Sequence, residues 1–508
     1  MLAQLTSIPW QTPDVDYHAL APQIVIVVVI VVMILVDLFA PREAKGALSS
    51  LAGIGLLAAA IPVITLAVDG HPRVMFGGAY VVDQFTLVLT GVFLLTGYIV
   101  VLLSTNTIAE GDYWEGEYYI LILSSVLGMM VMSSARDLIG IFVALELLSI
   151  PAYMLAAWRK RDLKGNEAGL KYYLMGVFAS AIMLYGMSLI YGFTGSTLLS
   201  EIGAKLNGDT LTAVGDAKPM IVLAIVFVLV GFGFKVSAVP FHTWAPDTYE
   251  GAPTPVTAFL ATASKAAGFV ALLELIFIAF LGRHDVFEPL MWALAAATMT
   301  VGNLIALRQT NIVRMLAYSG IAQAGYILAP FAVAGSSAAV AEGALKAIVT
   351  YLVIYVVMNL GAFAVVIAVS RKTKSGDISS FGGLFQYAPT LAVCMGIFLF
   401  SLAGIPPMGG WFAKLVIFQS LASPGTVSGY TLAVLVAVNS VVAAFYYLRV
   451  VRFMFMQDAP DGDVTPIRVP ASLSIALVLT VAITLVYGVV PGVVAHFTDT
   501  VSLVTLGR

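Results

Sequence analysis

Charge is what this chain has least of. Asp, Glu, Lys and Arg make up only 10% of its 508 residues, against roughly 25% in an ordinary soluble domain, and that shortage excludes a water-soluble globular protein. Cysteine is nearly missing as well. The one residue, Cys394, excludes a disulfide framework and any iron–sulfur cluster held by four thiolates. Of the five histidines, His18, His71, His284 and His496 fall in predicted loops or at span ends. Only His242 lies inside a span, so a pair of axial haem ligands is not expected. There is no Walker loop and no Gly-x-Gly-x-x-Gly after a strand. The chain is therefore expected to carry no electron centre, metal or nucleotide of its own, and nucleic acid is not an expected partner.

What is abundant is apolar. Hydrophobic residues make up 60% of the chain, and a bilayer-spanning helix needs about 20 of them in a row. About fourteen such stretches are present, at 20–38, 47–68, 83–104, 117–134, 137–158, 167–193, 219–249, 254–281, 288–307, 311–333, 343–370, 389–421, 428–456 and 471–491. Alternating strands of barrel type are missing, so the spans are read as helices. The expected fold class is an all-α polytopic membrane protein, a single membrane domain over 1–508 whose loops are too short for a second, soluble one. The seventh and twelfth spans are too long and are interrupted by proline. The first 17 residues are acidic and have no basic n-region, so the first helix is expected to stay in place.

Lys and Arg are unevenly placed. Loops after odd-numbered spans, counted with the span ends that flank them, hold fourteen: Arg42, Lys45, Arg159, Lys160, Arg161, Lys164, Arg308, Arg314, Arg371, Lys372, Lys374, Arg449, Arg452 and Arg468. Loops after even-numbered spans, with the C-terminus, hold six. The positive-inside bias puts the odd loops in the cytoplasm and both termini on the other side.

Those twenty leave five of the 25 basic residues, Lys171, Lys235, Lys265, Lys346 and Lys414. All lie inside predicted spans and none is arginine. Arginine stays charged at any accessible pH, whereas a desolvated lysine amine can give and take protons. Lys235 and Lys265 sit near mid-span, where an ionisable group points to function. Lys171 and Lys346, near helix starts, admit two readings, a titrating group or a side chain that snorkels to the interface. A midplane cation needs an anion, and Glu146, central in its span, is the candidate partner. Glu117 opens span four, where it is either a proton antenna or an acid favoured by the helix dipole. Glu274 and Asp37 are read as structural or interfacial.

A repeat supports the functional reading. Glu167-Ala-Gly-Leu-Lys171 recurs as Glu342-Gly-Ala-Leu-Lys346, 175 residues on, and Gly186 is matched by Gly361. Phe232-Gly-Phe234 with Ser237-Ala-Val-Pro240 is echoed by Phe398-Leu-Phe400 with Ala403-Gly-Ile-Pro406, 166 residues on. This predicts a duplicated five-helix unit, 117–281 (helices 4–8) and 288–456 (helices 9–13). Five is odd, so the copies are inverted, with discontinuous helices 7 and 12, and such breaks mark ion sites in transporters. Ser401 fills the slot that corresponds to Lys235.

The run Pro240-Phe-His-Thr-Trp-Ala-Pro-Asp-Thr-Tyr-Glu-Gly-Ala-Pro-Thr-Pro-Val256 is followed by Ala263-Ser-Lys-Ala-Ala-Gly-Phe269 and by Leu402-Ala-Gly-Ile-Pro-Pro-Met-Gly-Gly-Trp-Phe-Ala-Lys414. Together they resemble the antiporter-like membrane subunits of respiratory complex I and of Mrp-type cation/proton antiporters. The resemblance covers nearly the whole chain. It implies a fourteen-helix subunit of the complex I membrane arm that couples NADH-to-quinone electron transfer, carried out in partner subunits, to proton translocation. In it Glu146 and Lys235 form a charge pair, Lys265 is the central proton carrier, Lys414 leads toward the far side, and Lys171 and His242 lie along a hydrated polar axis. Lysine rather than glutamate at 414, and a chain that stops soon after span fourteen, narrow the match to one subunit type. The resemblance also implies NADH, FMN, iron–sulfur clusters and quinone in partner subunits, neighbouring antiporter-like and small membrane subunits, and a bacterial plasma membrane. The alternative it leaves open is a subunit of a Mrp-type Na⁺/H⁺ antiporter.

Overall fold

The computed structural model describes residues 15–39, 41, 46–109, 115–207, 218–460 and 462–503. Helices dominate, as hydrocarbon requires, since every backbone group there must be satisfied within its own segment. In order they are α1 (Tyr17–Phe39), α2 (Ala47–Asp69), α3 (Gln84–Ala109), α4 (Glu115–Ser134), α5 (Leu138–Ala156), α6 (Leu163–Thr194), α7 (Leu199–Asn207), α8 (Lys218–Lys235), α9 (Trp244–Gly251), α10 (Thr254–Phe259), α11 (Lys265–Glu274), α12 (His284–Ala306), α13 (Ile312–Leu328), α14 (Ala338–Thr373), α15 (Leu384–Tyr387), α16 (Pro389–Ala403), α17 (Gly409–Ala422), α18 (Val427–Met456), α19 (Ala471–Val489) and α20 (Gly492–Asp499). Eleven helical segments among the described residues are long and apolar enough to cross a membrane, and two shorter apolar helices, Pro219–Lys235 and Pro389–Ala403, join them.

Burial decides which helices form the core. α13 and α14 are enclosed almost completely, whereas α1 exposes Val28, Val31, Leu35 and Leu38, as a helix facing lipid can without cost. Helices approach closely where a side chain is missing. A Cβ on Gly128 would stand 2.6 Å from the Leu148 backbone nitrogen, and one on Gly325 would run into that of Met299, the small-residue contact typical of membrane helix pairs. Gly186 and Gly361 do the same work in two places. A Cβ on Gly186 would meet α8 at Ala224 and Phe227, and one on Gly361 would meet the Phe398 ring of α16.

Two helices are broken as the prolines predict. α8 stops at Lys235 and α9 resumes at Trp244; α16 stops at Ala403 and α17 resumes at Gly409. Each break contains a cis peptide bond, Val239–Pro240 and Pro406–Pro407. A third irregularity has no counterpart in the sequence reading. Residues 254–306, predicted as two spans, form one helical run interrupted by π-helix at Leu260–Ser264 and Leu275–Phe280 and by a 3₁₀ turn at Leu281–Arg283. A straight helix of that length would span roughly 80 Å, far beyond a bilayer. The non-helical backbone at Phe280 (φ −114°, ψ 2°) and Arg283 (φ −109°, ψ 40°) marks the division, between the predicted spans 254–281 and 288–307.

The loops sort onto faces. Strands β1 (Arg73–Met75) and β2 (Tyr80–Val82) pair as an antiparallel hairpin with Arg73 opposite Val82. Bridges join Tyr80 to Ala135 and Asp137 to Leu198, so the loops after spans two, four and six meet on one face. On the other, Asn311 bridges to Asp377.

Candidate functional site: buried lysines at two helix breaks

The first break is a closed turn. Val236, Ser237 and Ala238 donate their amides to the carbonyls of Phe232, Phe234 and Gly233 at 3.0, 3.0 and 2.8 Å, and the Trp244 indole also reaches the Phe234 carbonyl at 3.2 Å. The carbonyls released by the break are thus covered from within. Lys235, the last residue of α8, is 4% exposed. Its Nζ donates to Ser149 Oγ at 2.8 Å and to the Tyr172 hydroxyl at 3.4 Å, and the Tyr172 ring stacks on Trp244 at 4.5 Å. Gly268 makes room for the lysine stem, since a Cβ there would lie 2.9 Å from Lys235 Cγ.

Glu146 stands one turn from Ser149 on α5, so both side chains share a helix face. It is half-buried, and its Oε1 accepts a hydrogen bond from Ser180 Oγ at 2.7 Å. The expected partners do not touch: Ser149 takes the Lys235 hydrogen bond, and Glu146 lies behind it.

Lys265 follows the first π segment and is 1% exposed. Its Nζ donates to the Gly320 carbonyl of α13 at 2.8 Å. The Tyr355 hydroxyl donates to the carbonyl of Ala261, inside the π segment, at 2.8 Å and accepts from Asn359 at 3.0 Å. A π turn displaces the regular hydrogen-bond ladder and is frequent at functional sites; here a tyrosine takes the carbonyl it frees.

Lys414, on α17, points back into the second break. Its Nζ donates to the Ala403 carbonyl at 2.8 Å and sits 5.0 Å from the centre of the Tyr326 ring. Ala403 ends α16, where the dipole favours a cation. Gly404 there has φ 86°, and a Cβ would lie 2.7 Å from Lys414 Cδ, so both the turn and the lysine need glycine.

One helix links the second and third lysines. On α13, Gln323 lies one turn from Gly320. Its amide donates to the Leu402 carbonyl at 3.1 Å and to the Tyr447 hydroxyl at 3.3 Å, and Tyr351 donates to its Oε1. The carbonyl next to the one that holds Lys414 is thus tied to an amide and two phenols, one helical turn from the carbonyl that holds Lys265.

The other predicted residues sit elsewhere. Lys171, predicted inside a span, is ion-paired to Asp247 and Glu167, each at 2.6 Å, with its side chain 42% exposed. Lys346 pairs with Glu342 at 2.9 Å. His242 is half-buried within the break, its Nδ1 without a hydrogen-bond partner. Glu117 is exposed at the start of α4. Glu274, read as structural or interfacial, is fully buried and bound to Arg136 at 2.7 Å. Sequence reasoning misses Ser149, Tyr172, Gln323 and Tyr351, because hydroxyls and amides in apolar runs give no periodic signal. Among the described residues no group of three His, Cys, Asp or Glu is placed to hold a metal ion.

Broken helices carrying buried cations near their gaps define an ion-translocating membrane protein. The family profile described as NADH:quinone oxidoreductase/Mrp antiporter, TM, matches residues 135–443. Subunit N of the NADH-quinone oxidoreductase of Trichlorobacter lovleyi is 39% identical over 95% of this chain and 96% of its own, and subunit N 2 of Symbiobacterium thermophilum is 42% identical over 94% and 95%. Among solved structures, respiratory complex I from Thermus thermophilus aligns with TM-score 0.76 at 33% identity, covering 93% of this chain and 98% of that one. The Mrp complex from Dietzia sp. has TM-score 0.82 at 21% identity, over 96% and 97%, which shows the fold alone. The chain belongs to the antiporter-like membrane subunits of the NADH:quinone oxidoreductase/Mrp family, and within them to subunit N of NADH-quinone oxidoreductase. It is a multi-pass, proton-translocating membrane subunit.

Proposed function

We propose that Glu146, Lys235, Lys265 and Lys414 carry the translocated proton, with Ser149, Gln323 and Tyr351 as the bridging groups. The observation that carries this reading is that all three lysines are buried yet each ends on a hydrogen-bond acceptor, so each ammonium can lose its proton without abandoning its place. Glu146 acts on Lys235 through Ser149. Two unit charges about 4 Å apart at an effective dielectric near 20 interact by about 4 kcal/mol, and doubling their distance changes this by about 2 kcal/mol, more than a tenfold change in proton affinity. A charge moved in a neighbouring subunit is enough, on that scale, to tip Lys235 and then Lys265, whose proton passes toward Lys414 by water ordered along the polar groups of Gln323, Tyr351 and Tyr447. Lys171, His242, Lys346 and Glu117 are accessory, serving proton access.

The reading extends to the whole assembly. Fourteen spans follow if the run 254–306 counts as two and the two short apolar helices are added. Units 117–281 and 288–456 form inverted repeats, supported by the matching contacts of Gly186 with α8 and Gly361 with α16. The subunit sits in a bacterial plasma membrane with both ends away from the cytoplasm. In the membrane arm it adjoins other antiporter-like and small membrane subunits, while NADH, FMN, iron–sulfur clusters and quinone belong to its partners. The test is proton pumping by the assembled, vesicle-reconstituted complex carrying Lys235→Ala or Glu146→Ala. Pumping is expected to fall with the complex intact; normal pumping by both variants would overturn the assignment.

A further inference from the structure

The most heavily charged buried cluster lies outside the lysine row. Arg136, in the turn between α4 and α5, donates from Nη1 to Glu274 Oε1 at 2.7 Å and from Nη2 to Asp83 Oδ2 at 3.1 Å. Their side chains are 5%, 0% and 11% exposed. One guanidinium faces two carboxylates, so the cluster is one proton short of neutrality. The hydrogen bonds distinguish the two carboxylates. Asp83 is satisfied on both oxygens, Oδ1 accepting the Thr86 amide at 2.9 Å, while Glu274 Oε2 is buried and has no donor. A bare carboxylate oxygen in such a place costs several kcal/mol, and a proton on it removes the cost.

The cluster also has an opening. A cavity of about 150 Å³ is lined by Gly70, His71, Asp83, Gln84, Thr500 and Ser502, among others. Gly70 and His71 belong to the exposed loop before the hairpin, so the cavity runs from the hairpin face of the bundle to Asp83. Buried hydroxyls continue inward, Thr86 donating to the Ser133 carbonyl at 2.8 Å and Thr90 lying 3.2 Å from Ser133 Oγ. Arg136 Nη1 reaches the same Ser133 carbonyl at 3.1 Å. Glu274 shares α11 with Lys265, nine residues and about 14 Å along the axis.

We propose that Arg136, Glu274 and Asp83 form a proton-binding port, loaded on Glu274 and open through this cavity to the hairpin face, separate from Lys414. The site stands on its own geometry; its use in turnover rests on the lysine-row reading. Two measurements on the assembled complex in vesicles test it. Turnover-induced infrared difference spectra should contain a protonated-carboxyl C=O band that shifts in D₂O and vanishes in Glu274→Gln. Proton pumping in that variant should fall by about a hundredfold or more, the scale of a lost acid–base group. Leu87 also lines the cavity, and Leu87→Trp, which fills it while leaving both carboxylates in the chain, should slow pumping in the same direction and decides the matter if Glu274→Gln does not assemble. A permanently ionised structural glutamate gives no such band, and normal pumping with Glu274→Gln or with Leu87→Trp overturns the port. Lys265→Ala separates the two ideas: normal pumping there sinks the lysine row while leaving the carboxyl band in place.

Discussion

The two helix breaks hold their lysines differently. Lys235 ends α8 and is gripped by side chains, Ser149 at 2.8 Å and Tyr172 at 3.4 Å, with Glu146 one turn beyond. Lys414 lies past its break and is held by backbone, the Ala403 carbonyl at 2.8 Å, with the Tyr326 ring beneath it. A side-chain shell can be recharged or rotated, whereas a helix-terminal carbonyl is fixed. The first break is therefore suited to sensing a change in charge and the second to receiving a proton at constant geometry. Ser401, in the slot matching Lys235, donates to Met358 Sδ and accepts the Gly410 amide at 3.0 Å, so the second copy uses that slot to close its own turn.

Substitutions sharpen this contrast in a graded order. Lys414→Met has no second side chain to take over at the fixed site, so pumping by the reconstituted complex should drop by about a hundredfold or more. Gly361→Val drives methyls into the Phe398 ring, which leaves no room even for a Cβ at that position; overpacking of about 1–3 kcal/mol is expected, read as a lower yield of assembled complex. Ser149→Ala removes a hydrogen bond to a charged group worth about 1.5–3 kcal/mol, and pumping should fall less than with Lys414→Met while assembly is kept. Tyr172→Phe removes only the long 3.4 Å contact and preserves the stack on Trp244, so its effect should be within about twofold. A Tyr172→Phe defect as large as that of Ser149→Ala would contradict the order of the shell.

Much of this is legible from residues. The shortage of charge announces the bilayer, and subtracting loop cations isolates Lys235, Lys265 and Lys414, all of which are buried. Prolines 240 and 406 locate both breaks. The repeated Glu-x-x-x-Lys motif, a marker of duplication in the sequence, is in both copies an i,i+4 ion pair, at 2.6 Å for Glu167–Lys171 and 2.9 Å for Glu342–Lys346. That explains why Lys171 and Lys346 stand apart from the row: hydropathy counts them inside spans, but each has its own local anion. What stays hidden is tertiary. Glu274 and Arg136 lie 138 positions apart, and no spacing rule connects them. The π segment before Lys265 leaves no trace in an apolar sequence, because it alters carbonyl pairing and not composition. Gln323 shares its helix with Arg314 and Ser319, and only the fold sets it, of the three, between two lysines.

The most direct test of the lysine row is the number of protons pumped per electron by the intact complex, reconstituted in vesicles, with Lys265→Ala. In the proposed row Lys265 links the sensing break to the receiving one, so the ratio should fall while the complex remains assembled. A ratio equal to that of the unmodified complex would contradict the account.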